Sequence, residues 1–245
     1  MTPSIWKELR LVESFDVDPK GRLKPHKLFS FMINSAWNHA SALGLGYQEL
    51  SEHNLMWVIS KFQLNIIRMP EWRDKISIET WGKSIERFYA LRDFSVFSEE
   101  GRKLAYASGG WLILEKDSYR PQKLDQLMAN FPWQKEKSEL ETNLKKVAES
   151  TKSEDRIHFH VVFTDIDINN HVNGAKYLQW IMDSYPRDVL EQMQPESIEM
   201  SFLAEAAIDD EIAVHFERLA NQEINTVRRV IDSKDLCRAA VKWHI

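Results

Sequence analysis

The amino-acid sequence matches itself. Setting Asp16-Val17-Asp18 on Asp165-Ile166-Asp167, 149 positions further on, brings Lys27 onto Lys176, Phe31 onto Trp180, Met32 onto Ile181, Asn34 onto Asp183 and Ser35 onto Ser184 without a gap. A second gapless block, 136 positions apart, sets Leu64 on Met200, Ile66 on Phe202, Asp74 on Asp210 and Ile76 on Ile212. Solenoids repeat every ~20 to 50 residues, so a period this long means two copies of a whole domain. A chain of 245 residues has room for both, since domains cluster near about 100 to 150 residues.

Each copy reads as one long helix followed by strands. Leu28, Phe31, Met32, Ser35 and His39 fall at helical spacing over 25–44, and a second helix is expected over 173–193. Gly44 and Gly46 punctuate the end of the first. Strand-like runs follow over 55–69, 75–84, 88–98 and 103–115; the second copy offers 157–163 before its helix, then 197–203, 211–218, 226–232 and 236–244. The clearest is Lys75-Ile76-Ser77-Ile78-Glu79-Thr80-Trp81, whose period of two suits a strand with one buried face. A long helix needs its apolar face covered, and a curved antiparallel sheet wrapped round it solves burial for both. The expected class is therefore α+β, with tandem domains of the hotdog architecture: 1–132, a charged linker over 133–154 with the division near Ser150, and 155–245.

Composition narrows the function. A hydrophobic content of 43% with 9 Trp and 12 Phe supplies a core, and net charge −5 argues against general nucleic-acid binding, which needs a concentrated basic patch. Cys237 is the only cysteine, so neither an intrachain disulfide nor a cysteine zinc cage can form. With no secretory leader and no apolar run long enough to span a bilayer, a cytoplasmic and bacterial setting without stable membrane insertion is expected.

The copies differ where chemistry would sit. The acidic pair is kept, as Asp16 and Asp18 against Asp165 and Asp167, but Lys20 faces Asn169, Arg22 faces His171 and Met69 faces Glu205. Only the second copy has D-x-N-x-H. Its loop lies between a strand and a helix start, where unsatisfied amides favour a developing negative charge. Asn170 and Asn173 read as turn and helix-capping residues; a turn has no use for a histidine, so Asp167, Asn169 and His171 read as a site. A metal site on His158, His160 and His171 is an alternative that lacks a convergent carboxylate set.

The stretch DIDINNHVNGAKYLQWIMDS closely resembles the D-x-N-x-H-V-N-N-x-K-Y-x-x-W signature of acyl-ACP thioesterases, the plant and bacterial enzymes that end fatty-acid synthesis. WVISKFQLNIIRMPEWRDKISIETW, Arg92-Asp93 and GGWLILEKDSYRP are similar to that family's N-terminal domain, so the resemblance covers most of the chain. It implies hydrolysis of fatty acyl-ACP, with the catalytic Asp, Asn, His and Glu falling on Asp167, Asn169, His171 and Glu205. It also implies acyl binding by an inert first domain, around Met32, Trp57, Ile59 and Ile67. Plant members place a cysteine after the glutamate; here Ala206 stands there, which leaves water as the nucleophile.

On this reading Glu205 is general base and His171 holds it, or the two exchange roles. Asn169 orients the thioester or the water, Asp167 fixes the loop, and amides near Asn173 and Gly174 meet the oxyanion, Gly174 allowing close approach. No cofactor or metal is required. The implied partner is acyl carrier protein, whose acidity would seek cations such as Lys176, Arg187, Arg228 and Arg229. An acyl-CoA thioesterase and a non-catalytic lipid- or carrier-binding module remain alternatives, and monomer and homodimer are both allowed.

Overall fold

The computed structural model describes residues 2–140, 144–150 and 154–244, so parts of the expected linker, 141–143 and 151–153, lie outside the described residues. The chain divides into two compact units between Leu144 and Lys145, with the tripeptide Pro25–Lys27 grouped with the second. The first contains β1 (Trp6–Leu11), α1 (Pro25–Ala42), α2 (Tyr47–Glu52), β2 (Leu55–Ile66), β3 (Lys75–Glu86), β4 (Tyr89–Ser98), β5 (Lys103–Glu115) and α3 (Leu124–Leu127). The second contains β6 (Glu154–His160), α4 (Gly174–Asp183), α5 (Arg187–Gln192), β7 (Gln194–Phe202), β8 (Glu211–Arg218), β9 (Glu223–Arg229) and β10 (Asp235–His244).

Both units use one strand order. It runs β1-β3-β4-β5-β2 in the first and β6-β8-β9-β10-β7 in the second, antiparallel throughout. The α+β class expected from the sequence is what the chain adopts. In the first unit Pro25 opens α1, where its missing N–H costs nothing, and Leu28, Phe29, Met32, Ser35, Ala36, His39 and Ala40 form the buried stripe. Phe29 meets Phe62 of β2 edge to face at 4.7 Å. Burying Leu28, Phe29 and Met32 contributes about 2 kcal/mol each from apolar area.

The expected helix over 173–193 is two helices. α4 ends at Asp183 and α5 begins at Arg187 because Pro186 has no N–H to continue the ladder, and its ring would strike the carbonyl a turn back. The break lets Tyr185 turn inward, where its hydroxyl accepts from Asn225 Nδ2 at 2.8 Å. On its own stripe α4 buries Ala175, Tyr177, Leu178, Trp180, Ile181 and Met182.

The charged stretch after Trp133 is bound along the first sheet as far as Leu140. Gln134 N donates to Gly82 O at 2.8 Å, Trp81 Nε1 to Lys137 O at 2.8 Å, and Glu139 N to Asp93 Oδ2 at 2.8 Å. The Glu139 carboxylate also accepts from Ser95 and pairs with Lys103. Gly82 is required here, since a Cβ on it would lie 2.2 Å from the Phe131 ring. Burial raises the Asp93 carboxyl, against hydrogen bonds from Ser108 and Glu139 that lower it.

His39, on the buried face of α1, is held neutral by its partners. Its Nε2 donates to Pro3 O at 3.0 Å while Nδ1 accepts from Arg92 at 3.1 Å, and protonating Nδ1 would remove that acceptor beside a buried guanidinium. Burial, then the Arg92 charge, pushes His39 from 6.5 down to about 4. The unfolded chain therefore takes up this proton first as pH falls. The stabilisation is complete above about 6.5 and is lost towards about 4. Urea titrations from pH 7 to 4 are expected to show stability falling by up to about 3 kcal/mol from this group, and His39→Gln to flatten that part of the curve.

Candidate active site

The D-x-N-x-H loop is a tight turn with a carboxylate at its centre. Asp167 N donates to His171 O at 2.8 Å and Asn170 N to Asp167 O at 2.9 Å, while Asp167 Oδ1 accepts from Asn169 N at 2.8 Å. Asn170 takes the left-handed conformation at φ 64°, which asparagine tolerates better than most residues. Asn173 then caps α4, its Oδ1 accepting from Ala175 N at 2.9 Å, and Gly174 is the first helical residue. Asn170 and Asn173 thus hold the turn and capping roles read from their sequence positions.

The first unit builds the same turn. Asp18 N donates to Arg22 O, Gly21 N to Asp18 O and Lys20 N to Asp18 Oδ1, with Gly21 at φ 80° where Asn170 stands. There the side chains close on themselves: Asp18 Oδ2 accepts from Arg22 Nε at 2.8 Å and pairs with its Nη2 at 2.7 Å. The carboxylate common to both turns is scaffolding, and what the second unit adds is Asn169 and His171.

Glu205 reaches His171 from the loop after β7. Leu203 N and Ala204 N both donate to Leu236 O, at 2.8 and 3.2 Å, and Ala207 N donates to Asp210 Oδ2 at 2.9 Å, fixing the backbone on either side. His171 Nε2 lies 3.0 Å from Glu205 Oε2, with side chains 25% and 33% exposed: reachable, yet partly dry. Asn169 Oδ1 is buried and has no hydrogen-bond partner among the described residues. A buried side-chain oxygen left without a donor, two residues before His171 in the chain, calls for an explanation that the fold's own hydrogen bonds do not give.

Other candidates fall elsewhere. His158 is exposed between Glu211 (3.0 Å) and Asp155 (2.8 Å), and among the described residues no three His, Cys, Asp or Glu are grouped to hold a metal ion. Cys237 is wholly buried on β10 and burial pushes its thiol up, the wrong direction for a nucleophilic thiolate. Met32 is fully buried, Trp57 is tied to Leu45 O at 2.9 Å, Ile59 is half-buried on β2, and Ile67 is largely exposed. Of the cations named for docking, Lys176 pairs with Asp165, Arg187 with Glu191, Arg228 with Asp235, and Arg229 with Asp210 and Asp232.

Known proteins resemble the chain along most of its length. A family model described as the acyl-ACP thioesterase N-terminal domain matches residues 4–131, and one described as the acyl-ACP thioesterase C-terminal domain matches 145–245. The chloroplastic oleoyl-acyl carrier protein thioesterase of Coriandrum sativum is 25% identical over 97% of this chain and 69% of its own length. The chloroplastic palmitoyl-acyl carrier protein thioesterase of Gossypium hirsutum is 27% identical over 81% of this chain, which spans 51% of that protein. Among solved structures, an acyl-ACP thioesterase from Bacteroides thetaiotaomicron superposes with TM-score 0.88 at 27% identity, covering 98% of each chain. The 12:0-ACP thioesterase from Umbellularia californica superposes with TM-score 0.82 over 100% of this chain and 98% of its own, at an identity of 20% that speaks to fold alone.

Lys176 illustrates how the loop is anchored. Its Nζ lies 2.9 Å from Asp165 Oδ1, and that carboxylate is almost fully buried while its backbone carbonyl accepts from Asn173 N. Lys176→Met leaves a buried charge unpaired and is expected to destabilise the fold by about 3 kcal/mol. Chemical denaturation measures this; a change under about 0.5 kcal/mol would mean that the lysine is ordinary surface charge.

Proposed function

Because the chain belongs to the acyl-ACP thioesterase family, we propose that it hydrolyses the thioester of a fatty acyl-ACP, releasing free fatty acid and the carrier thiol, with water as the attacking group. The observation that carries this reading is the 3.0 Å contact between His171 Nε2 and Glu205 Oε2, in a unit whose sister has Arg22 and Met69 at the same positions.

A thioester is already activated, so the protein has to hold a water, remove its proton, stabilise the oxyanion and keep bulk solvent out. Glu205 takes the proton as the water oxygen bonds to the carbonyl carbon, with His171 orienting the carboxylate and sharing the proton. The tetrahedral oxyanion collapses, the C–S bond breaks, and the proton passes to the departing sulfur. Asn169 offers its unpaired side-chain oxygen as an acceptor for the attacking water, and Asp167 holds the residue in place through its backbone N–H. At the start of α4 the amides of Asn173 and Ala175 are committed, to Asp165 O and to Asn173 Oδ1, so the amide of Gly174 is the one assigned to the developing charge, at the positive end of the helix dipole. Cys237, buried as a neutral thiol, takes no part.

The first unit, from the N-terminus through residue 132, has the role of binding the acyl chain, with Met32, Trp57, Ile59 and Ile67 as candidate contacts. What supports this is its apolar interior and its lack of the His and Glu pair.

Hydrolysis of a panel of acyl-ACPs against matched acyl-CoAs tests the proposal. Faster release from the carrier protein is expected, with kcat reduced about 10²- to 10⁴-fold in Glu205→Gln and in His171→Ala, and unchanged in Cys237→Ala. Equal turnover of the two carriers would remove the preference for the carrier protein, and faster turnover of acyl-CoA would shift the substrate to it. Turnover indifferent to both substitutions would remove the mechanism.

A further inference from the structure

Glu205 is only as well placed as the backbone that carries it. The amide that follows it, Ala206 N, donates to the hydroxyl of Tyr177 at 2.9 Å, in a fully buried setting. Tyr177 belongs to α4, the helix that the D-x-N-x-H loop opens into, and is 3% exposed. Its ring is wedged edge-on against Trp180 (5.5 Å) and against Phe202 of β7 (5.9 Å), so the hydroxyl has little freedom to follow a moving loop. Besides the His171–Glu205 contact itself, this bond ties the helix that follows Asn169 and His171 to the loop carrying Glu205.

The first unit makes the comparison. Tyr177 is matched there by Leu28 and Ala206 by Pro70, at the same 149- and 136-residue offsets that relate the rest of the two units. Leu28 is fully buried at its place on α1, and Pro70 is buried as well. Proline has no amide hydrogen to donate and leucine has no oxygen to accept it, so donor and acceptor are absent together in the unit without the His and Glu pair. Had the hydroxyl served packing alone, its loss would not call for loss of the matching N–H. A buried N–H left without an acceptor is costly, which explains why the two positions change as a pair.

We propose that Tyr177 is a positioning residue for the hydrolysis: its hydroxyl, accepting from Ala206 N, sets the position of Glu205 relative to His171. This rests on the reading of Glu205 as a participant in the reaction. Tyr177 touches no reacting atom, and its phenol, pushed up by burial, keeps its proton throughout.

The test uses the full chain, with the acyl-ACP that the wild type turns over fastest, at a temperature where circular dichroism finds every variant folded. Tyr177→Phe removes the acceptor, Ala206→Pro removes the donor as the first unit does, and Glu205→Gln is the reference. Expected is a fall in kcat of at least about tenfold in both Tyr177→Phe and Ala206→Pro, with KM within about twofold, since a small misplacement of a reacting group acts on the chemical step. Faster hydrogen exchange at the Ala206 amide is expected in Tyr177→Phe. An inactive Glu205→Gln beside fully active Tyr177→Phe or Ala206→Pro overturns the positioning role and leaves the hydrolytic mechanism standing. A fully active Glu205→Gln overturns both.

Discussion

Two carboxylates that bind the amides of their own turns hold the candidate site together. Asp167 accepts from Asn169 N, and Asp210 accepts from Ala207 N. A loop that must keep a histidine and a glutamate within 3.0 Å of each other is held more firmly when its own backbone donors are paired, each such bond contributing about 0.5 to 1.5 kcal/mol. A side-chain carboxylate two or three residues away pairs them locally, with little chain entropy to overcome. The same device serves the first unit, where Asp18 accepts from Lys20 N and Asp74 from Glu71 N at 2.9 Å. Once the turn satisfies itself, the residues between are free to differ, and chemistry can be gained or lost without refolding the loop.

That division of labour explains what the sequence made legible. Helix α1, the alternating β3 run and the bounds of β5 and β8 follow from periodicity and turn chemistry, which are local properties. Strand β1 was not visible that way, because its exposed face carries Leu9 and Leu11 and its inward face carries Glu8 and Arg10, reversing the usual polarity. The internal match would have found it: the 149-residue offset lays β6 over β1 almost end to end. Comparison of the copies isolated Asn169, His171 and Glu205 as differences, but their convergence depends on contacts between residues more than thirty positions apart, which no pattern in one copy encodes. Tyr177 was hidden for a related reason. On a helix, a buried tyrosine at core spacing reads as packing until the partner of its hydroxyl is seen.

The charged stretch over 133–140 shows the opposite limit. Its composition reads as a solvated tether, yet it is bound to the first sheet through main-chain groups, and main-chain bonding leaves almost no trace in side-chain composition. Two side chains add to it, Glu139 matched to Lys103 and Ser95, and Lys137 paired with Glu79 at 3.3 Å and lying over the Trp81 ring.

The residues that replace the site in the first unit explain why that unit cannot do the same chemistry by another route. Arginine at position 22 is charged at every pH the protein meets, so it can neither take a proton from water nor pass one to a leaving sulfur. It is also committed, with two of its nitrogens on Asp18 Oδ2 at 2.8 and 2.7 Å. Met69, the counterpart of Glu205 in the sequence match, is buried and offers a thioether where the second unit offers a carboxylate. The exchange of His for Arg therefore does more than delete a group. It turns the turn's carboxylate inward onto a permanent cation and closes the loop, which suits a unit whose interior is apolar and whose task under the proposed reading is to enclose a hydrocarbon chain. In the second unit the imidazole leaves Asp167 to its backbone duty and faces Glu205 instead. The chemistry thus follows from which partner the fifth residue of one shared turn selects.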